Sequence, residues 1–231
     1  MNYQYVWLAW ASAFLLPWIM LYAFFPKQRM AMWRASLVMM PFGITEPLFV
    51  PEYWSPPSLF GLAQRTGFDI ESFIFSFAIG GIAAVLYNVI LRKRMEVLAG
   101  EERHHWRHRW HKWALASPFA LFPVLYFLPW NPIHAAIAAM ILGAMGVIFC
   151  RPDLTPNTLV GGILFLALYT VFLLGLKWSA PGYIEQVWNF SALTGVRVYG
   201  LPLEELLFGF SFGLMWTAIY EHFMWERSVA A

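Results

Sequence analysis

Charge is scarce in this 231-residue chain, and the scarcity limits the class of protein it can be. Only 12% of its residues are charged, whereas a soluble domain carries roughly 25%. Hydrophobic residues make up 60% of the chain and form long runs without charge. This composition excludes an ordinary soluble domain and predicts an integral membrane protein.

Cysteine and aspartate are nearly missing as well. The single cysteine, Cys150, excludes an intrachain disulfide and a metal site made of several thiolates. Two aspartates, Asp69 and Asp153, cannot form the paired Asp-rich motifs that hold magnesium diphosphate in polyprenyl transferases. The last apolar run has no lysine for a retinal Schiff base, and no G-x-G-x-x-G fingerprint offers a dinucleotide site. We therefore expect redox-neutral carboxylic acid chemistry on an apolar substrate, without a metal, a cofactor or nucleic acid.

Seven apolar runs approach the length of about 20 residues that crosses a bilayer as a helix. They lie near residues 4–25, 31–50, 70–91, 113–130, 133–150, 158–176 and 203–224. The first run has no basic start and no small-residue cleavage site after it, so we expect a retained helix and not a signal peptide. The sequence predicts an all-α integral membrane protein with seven transmembrane helices.

The positive residues predict how these helices are oriented. Most Lys and Arg residues fall in the loops after the first, third and fifth runs, above all in residues 92–112. The segments of opposite parity hold only Arg65, Lys177 and Arg197. Because basic loops stay in the cytoplasm, we expect a multi-pass protein of the cell membrane with its N-terminus outside and its C-terminus cytoplasmic.

Histidines are concentrated in one basic segment between the third and fourth runs. His104, His105, His108 and His111 alternate there with Trp and Arg residues, whereas His134 and His222 are isolated in the sequence. Membrane di-iron enzymes need several separated histidine boxes. An amphipathic segment on the anionic lipid surface is the favoured interpretation.

Two stretches of the chain are similar to one another, Asp69–Gly80 and Pro202–Gly213. Glu71 corresponds to Glu204 at an offset of 133 residues. The same offset relates Phe75 to Phe208, Phe77 to Phe210, Gly80 to Gly213 and Tyr87 to Tyr220. The pattern predicts two parallel three-helix repeats, residues 1–95 and 131–231, joined by a basic loop and spacer helix in residues 96–130.

The glutamates at the starts of the third and seventh runs are the candidate catalytic residues: Glu71, Glu204 and Glu205. A carboxylate at the edge of the hydrocarbon layer is costly, so a chain that places one there twice is expected to use it. Adjacent carboxylates repel ionisation, so one is expected to hold a proton that it could donate to an alkene. The alternative is that they only cap helix N-termini, where the helix dipole favours negative charge.

Other residues are candidates for the substrate site. Phe75 and Phe208 share helix faces with the glutamates, and aromatic faces stabilise cations. Trp54 and Trp188 precede the glutamates as lids or interface anchors. Glu46 is a third inward carboxylate, unless Pro47 breaks the helix and leaves it in a wet loop.

Small residues add a packing prediction. Ser76-x-x-x-Gly80 and Gly209-x-x-x-Gly213 let helices approach closely. We therefore expect the third and seventh helices to pack together and bring their glutamates toward one cavity.

The segment Gly200-Leu-Pro-Leu-Glu-Glu-Leu-Leu-Phe208 resembles the Pro-x-Glu-Glu signature of the lycopene cyclase domain family. The upstream Trp188–Gly195 is similar to the tryptophan-containing stretch before that signature. The resemblance to the fused form of these domains implies protonation of the terminal double bond of lycopene or a related linear carotene in the bilayer. Closure to a β-type ring would follow, in an intramolecular lyase or isomerase of carotenoid biosynthesis. Lipid and other membrane enzymes of the same pathway are the partners expected.

The first repeat departs from the signature, because Asp69-Ile-Glu71-Ser72 lacks the proline and the second acid. The second repeat is then expected to donate the proton, or else Asp69 replaces the missing carboxylate. Two other functions stay open, namely another carotenoid or isoprenoid enzyme such as a hydratase or isomerase, and a non-catalytic membrane binding or assembly protein.

Overall fold

The computed structural model describes residues 3–230, which are mostly helical, at 75%. Its α-helices are α1 Val6–Ala13, α2 Leu15–Phe24, α3 Arg29–Met39, α4 Leu62–Thr66, α5 Ile70–Ile90, α6 Gly100–Arg103, α7 His111–Tyr126, α8 Pro132–Cys150, α9 Thr155–Ser179, α10 Tyr183–Val187, α11 Leu203–Trp216 and α12 Ile219–Met224. Short 3₁₀ helices cover Pro26–Gln28, Met40–Leu48, Leu59–Gly61, Trp106–Trp110, Pro152–Leu154 and Phe190–Ala192. The strands are β1 Lys93–Val97, β2 Arg197–Val198, β3 Leu201–Pro202 and β4 Glu226–Ala230.

Two small antiparallel ribbons distinguish this fold from the all-α expectation. Strand β1 pairs with β4, and β2 pairs with β3. The β2–β3 ribbon turns at Tyr199 and Gly200, both with positive φ (54° and 83°), as a two-residue hairpin requires. These ribbons lie in connecting and terminal segments, so the helical character of the chain stands.

Four helical stretches of the described chain are long and apolar enough to cross a membrane: Val6–Phe24, Ile70–Ile90, Pro132–Cys150 and Pro152–Ser179. The predicted span 31–50 is shorter as an α-helix, because α3 gives way after Met39 to the 3₁₀ segment that contains Pro47. Span 113–130 becomes the 16-residue helix α7 with two internal prolines, and span 203–224 is divided between α11 and α12. Seven spans stay a prediction.

The described chain forms two compact units. The first contains the chain up to Ile82, Asn131–Ile133 and Leu168–Leu206. The second contains Ala83–Trp130, His134–Ala167 and the chain from Leu207 onward. The division into residues 1–95, 96–130 and 131–231 follows the sequence repeat and stays a prediction.

The small residues of the repeat allow close helix packing, but their partners differ from the predicted ones. A side chain at Gly80 would meet Met39 and the backbone oxygen of Ala35, both from α3. A side chain at Gly213 would meet Phe165 and the backbone of Gly161, both from α9. The close approach at these glycines therefore serves α3 and α9, so the predicted pairing of α5 with α11 through these residues is wrong.

Local capping determines where α5 begins. Asp69 Oδ1 accepts a 2.5 Å hydrogen bond from the backbone N–H of Ser72, the arrangement of an N-cap aspartate. The next residue, Ile70, starts the helix, and Glu71 follows within its first turn. Asp69 therefore positions the helix that carries Glu71.

Gly43 sets the distance between the 3₁₀ segment Met40–Leu48 and the start of α5. An added Cβ there would lie 2.7 Å from the Phe73 amide nitrogen and 2.9 Å from its Cα. Because backbone atoms cannot move aside as a flexible side chain can, we expect Gly43→Ala to destabilise the protein by about 1–3 kcal/mol. Thermal unfolding of the purified protein in detergent measures the change.

The matched control for this change is Gly100→Ala, since nothing lies within 4 Å of a Cβ at Gly100. Equal melting temperatures for the two variants would contradict the packing assigned to Gly43.

Candidate active site

Glu71 and Glu204 occupy the first turns of α5 and α11 and are held in the same way. The backbone N–H of Leu59 donates to Glu71 Oε1 over 2.7 Å, and that of Thr194 donates to Glu204 Oε1 over 2.8 Å. Their exposed fractions are 0% and 1%. Each of the two glutamates that the sequence pairs thus anchors the loop before its own helix.

Glu205 accepts hydrogen bonds from three side chains of this unit. Tyr53 donates its hydroxyl proton to Glu205 Oε1 in a short hydrogen bond, and Trp188 Nε1 donates to the same oxygen over 2.7 Å. Tyr169 donates its hydroxyl proton to Glu205 Oε2 over 2.5 Å. All four side chains are buried, so these three donors replace the water that a carboxylate would lose on burial.

Tyr53 remains a hydrogen-bond donor to Glu205 at any physiological pH. Burial raises the pKa of Tyr53 well above its ordinary value of 10, and the Glu205 carboxylate raises it further. Trp188 Nε1 can only donate, and it also lies 3.2 Å from the Tyr53 hydroxyl oxygen. The Tyr53 hydroxyl and the Trp188 N–H are therefore permanent hydrogen-bond donors to the Glu205 carboxylate.

Two loop segments pair to bring Tyr53 and Trp188 together. Trp54 and Trp188 form an isolated antiparallel bridge, and their ring centroids lie 5.3 Å apart. The backbone N–H of Ser55 donates to Val187 O, and that of Asn189 donates to Tyr53 O, each over 2.9 Å. The segments before the two glutamate helices are thus joined backbone to backbone next to Glu205.

A second cluster of carboxyl groups, formed by Glu46, Asp69 and Glu71, lies in the same unit. Glu46 sits in the 3₁₀ segment Met40–Leu48, is 8% exposed, and interacts electrostatically with Asp69 and Glu71. The inward, buried alternative for Glu46 is therefore confirmed, even though the α-helix ends before it.

Tyr183 lies close to this cluster. Burial raises the pKa of Tyr183 above its ordinary value of 10, and the charges of Asp69 and Glu71 raise it further. Burial also raises the pKa of Asp69 from its ordinary value.

The second oxygen of Glu71 has no hydrogen-bond partner among the described residues, so it is available to a substrate.

Aromatic rings adjoin these acids. Phe75 packs against Phe14 with centroids 5.3 Å apart and against Tyr169 at 6.3 Å. Trp7 contacts both Phe75 and Trp54, at 5.4 Å and 4.8 Å. The structure thus groups Phe75, Trp54 and Trp188 with the acids of the first unit. Phe208 belongs to the second unit, where it stacks on Phe212 at 5.9 Å.

Sequence reasoning missed the three tyrosines of the site: Tyr53, Tyr169 and Tyr183. One signal was present for Tyr169, whose hydroxyl falls inside the largely apolar helix α9 and needs a polar partner there. Tyr53 and Tyr183 lie in loop and short-helix segments without periodicity, so no pattern marked them. Pairing of the loops brings Tyr53 to the site.

Part of the chain is similar to a known protein family. Residues 131–223 match the family model described as lycopene cyclase. The matched segment contains Tyr169, Trp188, Glu204 and Glu205, and it does not contain Tyr53 or Glu71. No curated protein and no solved structure matches the chain.

The hydrogen bond from Tyr169 to Glu205 is open to a direct test. Tyr169→Phe leaves the ring in place but removes one of the three donors to a buried carboxyl group. We expect it to destabilise the protein by about 1–3 kcal/mol, measured by unfolding in detergent.

The control is Tyr199→Phe, because Tyr199 is 79% exposed. Removal of its hydroxyl group therefore leaves no buried polar atom without a partner. A Tyr169→Phe protein as stable as the control would show that this bond does not stabilise the fold.

Proposed function

We propose that this chain, whose residues 131–223 carry a domain of the lycopene cyclase family, cyclises the end group of a linear carotene by acid catalysis. The family implies an enzyme of carotenoid cyclisation. The finer proposal is that lycopene or a close relative binds within the bilayer and leaves with a β-type ring. The buried carboxyl groups of the first unit support it, above all Glu205 with its three hydrogen-bond donors.

The first step needs a proton on the terminal double bond. Glu204 is proposed as the acid, because its carboxyl group is buried at the start of α11 beside Glu205. The new C–H bond leaves a tertiary cation on the neighbouring carbon. Attack by the next double bond then closes the six-membered ring and moves the cation into it.

The second step removes a proton from the ring, so that a double bond replaces the cation. The conjugate base of Glu204 can accept this proton, which restores the acid and leaves no net gain or loss of atoms. Glu71 is proposed as the second carboxylate of the site, since its free oxygen could also receive a proton. The overall change is an isomerisation.

Glu205 is proposed to remain a carboxylate throughout. Hydrogen bonds from Tyr53, Tyr169 and Trp188 favour the charged form. A fixed negative charge in a low-dielectric site stabilises the cation that develops in the transition state, without reorganisation of solvent. The faces of Phe75 and Trp54 would add cation–π attraction.

The predicted repeat gains support from equivalent contacts. Glu71 and Glu204 accept the same kind of backbone bond, and Gly80 and Gly213 each pack on an earlier helix. In the second unit, Asn88 donates to Glu221 over 2.8 Å, and these residues are 133 positions apart, the offset of the repeat. We propose on this basis that the chain is a tandem of two three-helix domains, with the N-terminus outside and the acids near the outer surface.

The activity is tested by expression in a bacterium that accumulates lycopene, followed by chromatography and mass spectrometry of the pigments. We expect a product with the mass of lycopene that absorbs at a shorter wavelength. A product heavier by one water would indicate a hydratase instead. Unchanged lycopene, despite correct insertion in the membrane, would contradict the proposal.

Two isosteric changes test the roles of the acids. Glu204→Gln removes the proton donor and Glu205→Gln removes the balancing charge, so each should lower the cyclisation rate by at least about 10²-fold. Pigment conversion per amount of membrane-inserted protein measures the loss.

Glu185→Gln is the control for both, because Glu185 is exposed and lies 3.9 Å from its surface partner Arg197. Full activity in either acid variant would remove that residue from the mechanism.

A further inference from the structure

Three potential metal ligands meet inside the second unit, and none of them is used in the proposed cyclisation. One nitrogen each of His111 and His222 and the sulfur of Cys150 all lie within 4.8 Å of one another. His111 Nδ1 is 3.8 Å from Cys150 Sγ. The His111 and His222 rings cross at 80° with centroids 4.4 Å apart, which lets both rings point a nitrogen at one centre.

His222 carries the strongest indication of a ligand. Its side chain is fully buried, at 0% exposed, and neither ring nitrogen has a hydrogen-bond partner among the described residues. Two bare imidazole nitrogens in the interior cost free energy, because each gave up water on folding. A metal ion bound to one nitrogen would remove half of that deficit.

The spacing of the donors suits a small transition-metal ion. Zinc binds histidine nitrogen at about 2.0–2.1 Å and cysteine sulfur at about 2.3 Å, so two ligands of a tetrahedral site lie roughly 3.3–3.8 Å apart. The 3.8 Å separation of His111 Nδ1 and Cys150 Sγ lies at the upper end of this range. The His222 nitrogen, within 4.8 Å of both, has to move toward them by up to about 1 Å to complete the site. Two imidazoles with one thiolate form a ligand set that favours zinc over magnesium or calcium, which prefer oxygen.

The charged residue next to Cys150 is held in an ion pair. Arg151 is fully buried, and its guanidinium is paired with Asp153 at 2.9 Å and 2.7 Å. The Asp153 carboxylate therefore offsets part of the repulsion between Arg151 and a cation bound at the cluster. In the predicted topology these helix ends face the cytoplasm, where thiols stay reduced.

Each ligand comes from a different helix. His111 begins α7, Cys150 ends α8 and His222 lies in α12. Trp225 stacks on the His111 ring at 4.0 Å and 15°, which restricts the movement of that ligand. An ion at this point would join the start of α7, the end of α8 and the short helix α12.

We propose that His111, Cys150 and His222 form a binding site for one Zn²⁺ ion. The site ties together α7, α8 and α12 and takes no part in the cyclisation chemistry. It brings together a histidine from the basic segment, a histidine isolated in the sequence and the single cysteine.

Cobalt is the probe, because Co²⁺ replaces zinc and reports its ligands by absorption. The full chain, purified in detergent without a polyhistidine tag and stripped with chelator, is titrated with Co²⁺. We expect one equivalent to produce a thiolate-to-cobalt charge-transfer band with tetrahedral d–d bands, and one equivalent of Zn²⁺ to abolish them. Absence of the charge-transfer band in the wild-type protein would overturn the proposal.

Variants separate this site from other histidines. Cys150→Ser should abolish the charge-transfer band, and His222→Gln should weaken cobalt binding at least tenfold. The control His105→Gln changes an exposed histidine outside the cluster and should leave the titration unchanged. A loss of the band in the control, or its persistence in Cys150→Ser, would contradict the assignment. The wild-type titration decides between binding and no binding by itself, even if one of these variants fails to fold.

Discussion

The burial of Glu205 is the constraint on which the rest of the first unit depends. A carboxylate removed from water is expensive unless other donors replace the lost hydration. Three side chains from three separate segments meet this need, namely Tyr53, Tyr169 and Trp188. Their convergence requires the loops before α5 and α11 to pair and α9 to run beside α11. The architecture of the unit and the chemistry proposed for it therefore rest on the same few bonds.

The two halves of the chain bind the first glutamate of each helix in the same way, but they differ at the neighbouring positions. Glu71 and Glu204 each bind one backbone amide of the preceding loop. The second half then adds Glu205, whereas the first half has Ser72 at the corresponding position and uses Asp69 as a helix cap. Asp69 thus has a structural role as the N-cap of α5. Glu46 reaches the same cluster from a segment outside either signature.

Much of this site was predictable from the sequence, because the cost of a carboxylate at a helix start is a local property. That cost, together with the doubling of the motif, selected Glu71, Glu204 and Glu205 as candidates, and all three are buried. What escaped prediction depends on contacts between distant segments. Tyr53 reaches Glu205 across 152 residues, and no periodicity in one segment encodes such a pairing.

Helix partners and helix ends were harder to predict than the helices themselves. Gly80 and Gly213 correctly indicated close packing, but the small-residue pattern does not say which helix approaches. The long helices α5, α8 and α9 agree with predicted spans, whereas prolines after Met39 and within α7 shortened two others. His222 was expected to be isolated, and folding of α12 against the start of α7 places it beside His111.

In the proposed mechanism, a carboxylic acid of the protein starts ring closure by adding an exchangeable proton to the carotene. Incubation of the purified protein with lycopene in D₂O tests it most directly, with mass spectrometry of the cyclised product. The added proton stays on a ring carbon while the departing one comes from another carbon. We therefore expect one deuterium for each ring formed in D₂O, and a product with the mass of lycopene in ordinary water. Rings that form in D₂O without deuterium would contradict it.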